Sequence, residues 1–151
     1  MKKRFFIAGF YVFLLQFVSA HEVRPAYLEL IQKDPETYNI FWKVPGLGEN
    51  MHLGLDMALP ARTANLTQPR GMMVNDSYTE RWQIKCSGGL NGDTIRFDGL
   101  SGTATDVLVR LVRLNGSVQI ARITPSSPYF VASATVQPME VVRTYSMLGL
   151  E

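Results

Sequence analysis

The chain has 151 residues, of which 15 are Lys or Arg and 13 are Asp or Glu, so its formal net charge at pH 7 is +2. Residues 1–20 hold three of the basic residues and none of the acidic ones, which leaves the remainder with a net charge of −1. A charge so close to zero excludes a strongly basic nucleic-acid-binding protein. Hydrophobic residues make up 46% of the chain, which excludes an intrinsically disordered protein and suffices for one folded domain.

Residues 1–20 have the pattern of a cleavable export signal. Three basic residues precede residues 5–18, which are apolar except for one glutamine. A helix of about 14 residues is about 21 Å long, shorter than the roughly 30 Å hydrocarbon core of a bilayer. The end of the segment suits signal peptidase and predicts cleavage after Ala20, with an uncleaved membrane anchor as the alternative. We therefore expect an exported protein, periplasmic or on the outer face of the inner membrane, that begins at His21.

Alternation of apolar and polar residues dominates the rest of the chain. The clearest case is 78–86, where Tyr78, Trp82, Ile84 and Cys86 share one face. The same pattern predicts further strands at 24–32, 37–44, 52–58, 93–98, 107–114, 117–123 and 129–135. Short strands at this spacing predict an all-β fold, an antiparallel β-sandwich of the immunoglobulin-like type.

Turn residues separate several of these strands. Asp34-Pro35-Glu36 predicts the first turn, and the segment from Pro45 to Gly48 predicts the end of the second strand. Asn115-Gly116 predicts a two-residue type I′ hairpin, because both residues tolerate positive φ. Residues 60–77 predict a long loop or a ragged sheet edge.

Three arginines and one cysteine stand out among the strand residues. Arg110, Arg113 and Arg122 predict a solvated sheet face, with contact to an anion or a lipid headgroup as the alternative. Cys86 is the only cysteine, so no internal disulfide can form. Its apolar neighbours predict a buried, inert thiol, and a reactive or intermolecular thiol is the alternative.

The last residues differ from the strands. Val141, Tyr145 and Leu148 share one helical face after Pro138, which predicts a short C-terminal helix, with a final strand as the alternative. We therefore expect a signal at 1–20, a β domain at 21–137 and a connecting segment at 138–151.

Several of these segments resemble the extracytoplasmic N-terminal domain of the HupE/UreJ family of bacterial membrane proteins. The resemblance spans His21 to Glu151. It is carried by His21 to Leu30, Trp42 to Pro45, Arg81-Trp82, Cys86, Gly89 to Gly92, Gly99-Leu100, Thr105 to Arg110, and Tyr145 to Glu151. Membership implies a role in handling nickel or a related metal, and a membrane domain that follows the last residue of this chain.

The chain departs from the family pattern in one respect that the residues show. Family members often carry a second cysteine in the region of residues 61–64, which could pair with the one that matches Cys86. This chain has Ala61-Arg62-Thr63-Ala64 instead, so the implied disulfide is missing. The residues that serve transport in the family lie in the membrane domain, so the resemblance implies no site residues here.

Histidine supplies the one candidate metal site. Cleavage after Ala20 would free the α-amine of His21, and this amine with the imidazole Nδ1 can chelate Cu²⁺ or Ni²⁺. His52 is the only other histidine and could complete the site, with several methionines nearby in the sequence. The alternative is that both histidines and the methionines have ordinary structural roles.

No catalytic motif accompanies these residues, since the chain has no nucleophile elbow, P-loop or CxxC pair. We expect a non-catalytic extracytoplasmic domain of a HupE/UreJ-like membrane protein associated with nickel or other metal handling, whose partner is the membrane domain of the same protein. The alternatives are a free-standing periplasmic copper- or nickel-binding protein that uses His21, and a metal-independent periplasmic interaction module.

Overall fold

The computed structural model describes residues 23–134. The predicted signal at 1–20, the candidate ligand His21 and the predicted helix at 138–151 lie outside these residues. Between residues 23 and 134 the chain is mostly strand, with one short 3-10 turn, and no helix there is long and apolar enough to cross a membrane.

Eleven strands and one 3-10 turn make up this part of the chain. They are β1 (Ala26–Gln32), β2 (Thr37–Gly48), β3 (Met51–His52), β4 (Asp56–Ala58), β5 (Thr63–Asn65), β6 (Arg70–Met73), β7 (Ser77–Cys86), β8 (Thr94–Asp98), η1 (Leu100–Gly102), β9 (Val107–Val112), β10 (Val118–Ile123) and β11 (Tyr129–Val131). The prediction of an all-β fold is confirmed for these residues.

The strands form two sheets of unequal size. The large sheet has the order β10-β9-β1-β2-β7. Strands β5 and β6 both pair with the remaining edge of β7, one after the other along its length, and β3 pairs with β2. The small sheet has the order β11-β8-β4. Both sheets are rich in antiparallel pairs, which agrees with the predicted pairing.

One pair departs from the predicted antiparallel arrangement, because β1 and β9 run parallel. The chain crosses from β8 in the small sheet through η1 to β9 in the large sheet, so β9 can enter alongside β1 in the same direction. Two hydrogen bonds stabilise the start of this parallel pair. The Thr105 hydroxyl donates to the carbonyl of Arg24 at 2.7 Å, and the amide of Ala26 donates to the carbonyl of Asp106 at 2.8 Å.

The core lies between the two sheets and follows the alternation of the sequence. Alternate residues of β1, β2, β8 and β9 are buried, and the buried side chains of both sheets form one cluster. Trp42 of β2 and Phe97 of β8 stack across this core with ring centroids 5.8 Å apart. Full burial of one large apolar side chain contributes about 1.5–3 kcal/mol, so this contact is a main connection between the sheets.

The type I′ prediction at Asn115-Gly116 is wrong. Only Gly116 has positive φ there, at 82°, and its amide donates to the carbonyl of Arg113 at 2.9 Å. This geometry is a three-residue loop with glycine in the left-handed position. Two-residue loops with positive φ at both residues occur instead at Glu49-Asn50 and at Asn75-Asp76.

Three predicted strand boundaries are also wrong. The second strand continues through the Pro45 turn to Gly48, because the segment after it folds back as β3 and pairs with it across a bulge. The predicted strand 52–58 is two strands, since the chain leaves the large sheet after His52 and enters the small sheet at Asp56. The last predicted strand ends at Val131 rather than 135.

The region at 60–77 is a ragged sheet edge, as predicted. Strands β5 and β6 each pair with a different half of β7. Cys86 at the end of β7 is fully buried, which confirms its predicted burial, and its Sγ lies 3.5 Å from the carbonyl oxygen of Gly89.

Thr63 lies directly opposite Cys86 in this edge. The amide of Cys86 points toward β2, where it donates to the carbonyl of Glu36 at 2.7 Å. Thr63 and Cys86 are therefore a non-hydrogen-bonded pair, for which the typical Cα separation is about 4.5 Å. That separation suits a disulfide. The Thr63 hydroxyl is buried without a hydrogen-bond partner in residues 23–134, so nothing polar is lost when it is replaced.

We expect Thr63→Cys to form a disulfide with Cys86 under oxidising conditions. The disulfide would close the loop between positions 63 and 86, which should raise the free energy of unfolding by about 3 kcal/mol. Free-thiol titration and chemical denaturation, each with and without reductant, measure the bond and its effect. Ala64→Cys is the matched control, because position 64 pairs with Lys85 and projects to the opposite face. Two free thiols in oxidised Thr63→Cys would contradict the register.

Candidate functional site

His52 is the one predicted metal ligand that lies within residues 23–134. Its ring is half-buried and stacks on Tyr78, with centroids 4.3 Å apart and planes 10° from parallel. Nδ1 lies 2.8 Å from the carbonyl oxygen of Leu53. A carbonyl oxygen can only accept, so Nδ1 donates this hydrogen bond, and in the neutral imidazole Nε2 is the nitrogen that a metal would use.

Within residues 23–134, no set of charged ligands surrounds His52. His21 lies outside the described part of the chain. Across positions 23–134, no three His, Cys, Asp or Glu side chains are placed to hold one ion. Met51 and Met72 are exposed, and Met57 packs against the core.

The three arginines of the β9–β10 hairpin have three different environments. Arg110 donates to Glu29 at 2.8 Å, and Arg122 donates through Nε to Asp106 at 2.6 Å. Both lie on the solvated face, as predicted. Arg113 does not, because it is only 8% exposed.

Arg113 is buried because the edges of the two sheets meet around it. Its Nη2 donates to Gln119 Oε1 at 2.8 Å and to the carbonyl of Ser133. Gln119 Nε2 in turn donates to the carbonyl of Val131 at 2.9 Å, which joins β10 to β11. Nε and Nη1 of Arg113 have no partner among the described residues. Burial lowers the pKa of Arg113.

In residues 23–134, charged and aromatic side chains are concentrated on the face of the large sheet that points away from the core. We call it the outer face. Side chains directly opposite one another on paired strands project to the same side, so the register defines three rows across the sheet. From β10 toward β6, the first is Arg122, Leu108, Tyr27, Lys43, Thr79 and Met72; the second is Ile120, Arg110, Glu29, Phe41, Arg81 and Arg70; the third is Val118, Val112, Ile31, Asn39 and Gln83.

These rows contain five cations and one carboxylate. Glu29, the carboxylate, is already occupied by Arg110 at 2.8 Å. Lys43, Arg70 and Arg81 make no ion pair in the described part of the chain. Arg70 and Arg81 are direct cross-strand partners, an arrangement of like charges that costs stability.

Aromatic side chains lie among these cations and contact one of them, Arg81. The guanidinium carbon of Arg81 lies 4.1 Å from the ring centroid of Phe41, a cation–π contact. The Phe41 ring is 6.1 Å from that of Tyr27. Phe41 separates two shallow, open depressions of about 410 and 560 Å³, the first lined by Arg81 and the second by Lys43. The outer face thus presents positively charged side chains with aromatic rings between them.

Sequence reasoning found only part of this surface. The alternation at 78–86 places Arg81 on the face opposite Trp82, but Arg70 falls in the segment 60–77, for which no pairing can be predicted. The register of β6 against β7 brings the two together. A strand-like run at 70–73 before the Asn75-Asp76 turn is the signal that could have revealed it.

No protein-family model and no curated protein matches this chain. The residues and their geometry therefore carry the functional argument.

Tyr27 reports on the charge network of the outer face. Burial raises its pKa most, followed by the hydrogen bond that its hydroxyl donates to Glu29 at 3.0 Å and by the charge of Glu29. Because the folded state favours the neutral phenol, this contribution to stability is present below the unfolded pKa of about 10 and is lost as pH rises through the folded value.

We expect Glu29→Gln to lower the pKa of Tyr27, since the acceptor charge is removed and Arg110 is left beside the phenol. The value should stay above the usual one, because burial remains. Titration of the tyrosine ring signals by NMR measures it. Tyr78, whose pKa is raised by its hydrogen bond to Glu80, is the internal control and should not move. An unchanged Tyr27 would rule out the contact.

Proposed function

We propose that the chain is a non-catalytic extracytoplasmic domain of a HupE/UreJ-like membrane protein associated with nickel or other metal handling. Its partner in this proposal is the membrane domain of the same protein. The observation that carries it is the outer face, on which three cations without an ion-pair partner in residues 23–134 stand on a rigid sheet. An open, charged sheet face is suited to contact with another surface.

The positions of the resembling segments support the family assignment. Four of the resembling segments, those that end at Leu30, Pro45, Cys86 and Arg110, contribute to β1, β2, β7 and β9. These strands are adjacent in the large sheet, in the order β9-β1-β2-β7. Gly89 to Gly92 and Gly99-Leu100 lie outside that sheet, so the resemblance is concentrated on these four strands without being confined to them.

Position 63 adds a second line of support. The resemblance implies a cysteine near residues 61–64 that pairs with the counterpart of Cys86, and Thr63 is the direct cross-strand partner of Cys86. A family disulfide could occupy this position without a change of register.

The finer description of the fold belongs to the same proposal. The two sheets and their shared core are consistent with a sandwich of the immunoglobulin-like type. A cleaved signal at 1–20 would bring the domain across the inner membrane, and a short helix at 138–151 would lead into the membrane domain.

The genomic DNA beyond codon 151 tests the family assignment. We expect the reading frame to continue into several apolar segments of about 20 residues each, because a membrane-spanning helix needs that length. In the family that this chain resembles, the hydrophobic segment that follows carries histidine and aspartate, so the first of them should do the same. An in-frame stop codon directly after Glu151 in the natural gene would contradict the proposal.

A second candidate is a periplasmic copper- or nickel-binding protein. The observation that favours it is the contact of His52 Nδ1 with the carbonyl oxygen of Leu53, which leaves Nε2 of the neutral imidazole to bind a metal. His21, at the processed amino terminus, would supply the amine and its own imidazole.

If His21 and His52 share an ion, calorimetric titration of the processed chain should saturate at one Cu²⁺ or Ni²⁺ per chain. Both His52→Gln and an extra residue placed before His21 should weaken binding, and mass spectrometry confirms that each protein begins as intended. An equal response from all three proteins rejects the shared site. The absence of binding would instead favour a metal-independent interaction module.

A further inference from the structure

We infer that the outer face binds the headgroups of an anionic lipid bilayer. This inference rests on the proposed function, which places the domain beside a membrane. The contact residues are Lys43, Arg70 and Arg81, together with the exposed apolar side chains at both ends of the rows.

Charge on the outer face selects an anionic partner. Five cations and one carboxylate occupy the three rows. Arg110 is paired with Glu29 and Arg122 with Asp106, so in residues 23–134 Lys43, Arg70 and Arg81 remain without an ion-pair partner and can attract phosphate groups. Each Lys or Arg close to an anionic membrane surface contributes about 1 kcal/mol of attraction.

Apolar exposure on the same face separates a bilayer from a purely ionic partner. Met72, beside Thr79 at the β6 end, is 62% exposed, and Ile120 and Leu108 at the β9–β10 end are 47% and 37% exposed. Exposed apolar side chains next to cations on one face match a lipid surface, where headgroup phosphates lie above the acyl chains. An acidic protein segment would need the cations but not the exposed apolar side chains beside them.

The exposed face of the small sheet, on the opposite side of the molecule, carries two carboxylates and one cation, Arg96. On the small sheet, Asp56 and Asp98 are direct cross-strand partners and both are exposed. The two sides thus carry like-charge pairs of opposite sign, Arg70 with Arg81 and Asp56 with Asp98. An anionic bilayer would attract the outer face and turn the small sheet away, so the charges define one orientation.

Co-sedimentation with lipid vesicles tests the inference. We expect the chain to bind vesicles that contain phosphatidylglycerol and not vesicles of phosphatidylcholine alone. Binding should fall sharply between about 0.1 M and about 1 M salt, as the screening length drops from about 10 Å to about 3 Å. Arg70→Gln and Arg81→Gln should each weaken partitioning about fivefold.

Arg96→Gln is the matched control, because Arg96 is exposed on the small sheet and the change in net charge is the same. It should leave binding unchanged. Arg81→Lys keeps the charge and should bind like the parent chain even if Arg81→Gln fails to fold. All variants share residues 1–20, so any contribution of that segment cancels in the comparison.

Three outcomes would overturn the inference. They are equal binding to phosphatidylcholine vesicles, an equal loss in Arg96→Gln and Arg81→Gln, and binding to soluble poly-glutamate without binding to phosphatidylglycerol vesicles. The last would assign the face to an acidic protein. None of these outcomes depends on the DNA beyond codon 151, so the inference and the proposed function can fail separately.

Discussion

The rest of the structure depends on the covering of the large sheet by the small one, and the contact between Trp42 and Phe97 lies across the core that this covering creates. A sheet of this composition is stable only when one face is covered, and three short strands must cover a sheet about six strands wide. The cover is centred on β1, β2 and β9, whose inward residues are fully or almost fully buried. Toward the β6 edge it thins, and Tyr78, Glu80 and Trp82 of β7 remain half-exposed. His52 stacks on Tyr78 at this margin, so its position follows from incomplete coverage as readily as from metal binding.

The sequence predicted the long strands well because a half-buried strand imposes its alternation over many residues. Strands β1, β2 and β7 were located within two residues at their starts, and Cys86 was correctly predicted as buried. Alternation cannot show where a chain changes sheets, and for this reason 52–58 was predicted as one strand. The loop at Asn115-Gly116 shows a second limit, since the same two residues suit both a two-residue turn and a three-residue loop. The pairing of the flanking strands decides between them.

The candidate site was less predictable than the fold because it depends on register between distant strands. Lys43, Arg70 and Arg81 belong to three strands, and their separations along the chain give no hint that they share one face. Arg113 illustrates the converse. Its place in a hairpin predicted exposure, but Gln119 and Ser133 close over it where the edges of the two sheets meet. Between β10 and β11, the side chain of Gln119 therefore makes the hydrogen bonds that backbone groups would make in a continuous sheet. No local sequence pattern predicts this arrangement.

Charge follows the same two-sheet geometry. Each sheet has one face in the core, so its charged side chains can lie only on the other face or at the margins. The outer face gathers cations, and the exposed face of the small sheet pairs Asp56 with Asp98. The net charge of the chain is small, and at long range the two faces therefore nearly cancel. At distances comparable with the screening length of about 8–10 Å they do not. A charged surface would therefore act mainly by orienting the domain. The like-charge pair of Arg70 and Arg81 is unfavourable in the isolated fold, and it becomes favourable only in the orientation that presents it to an anion.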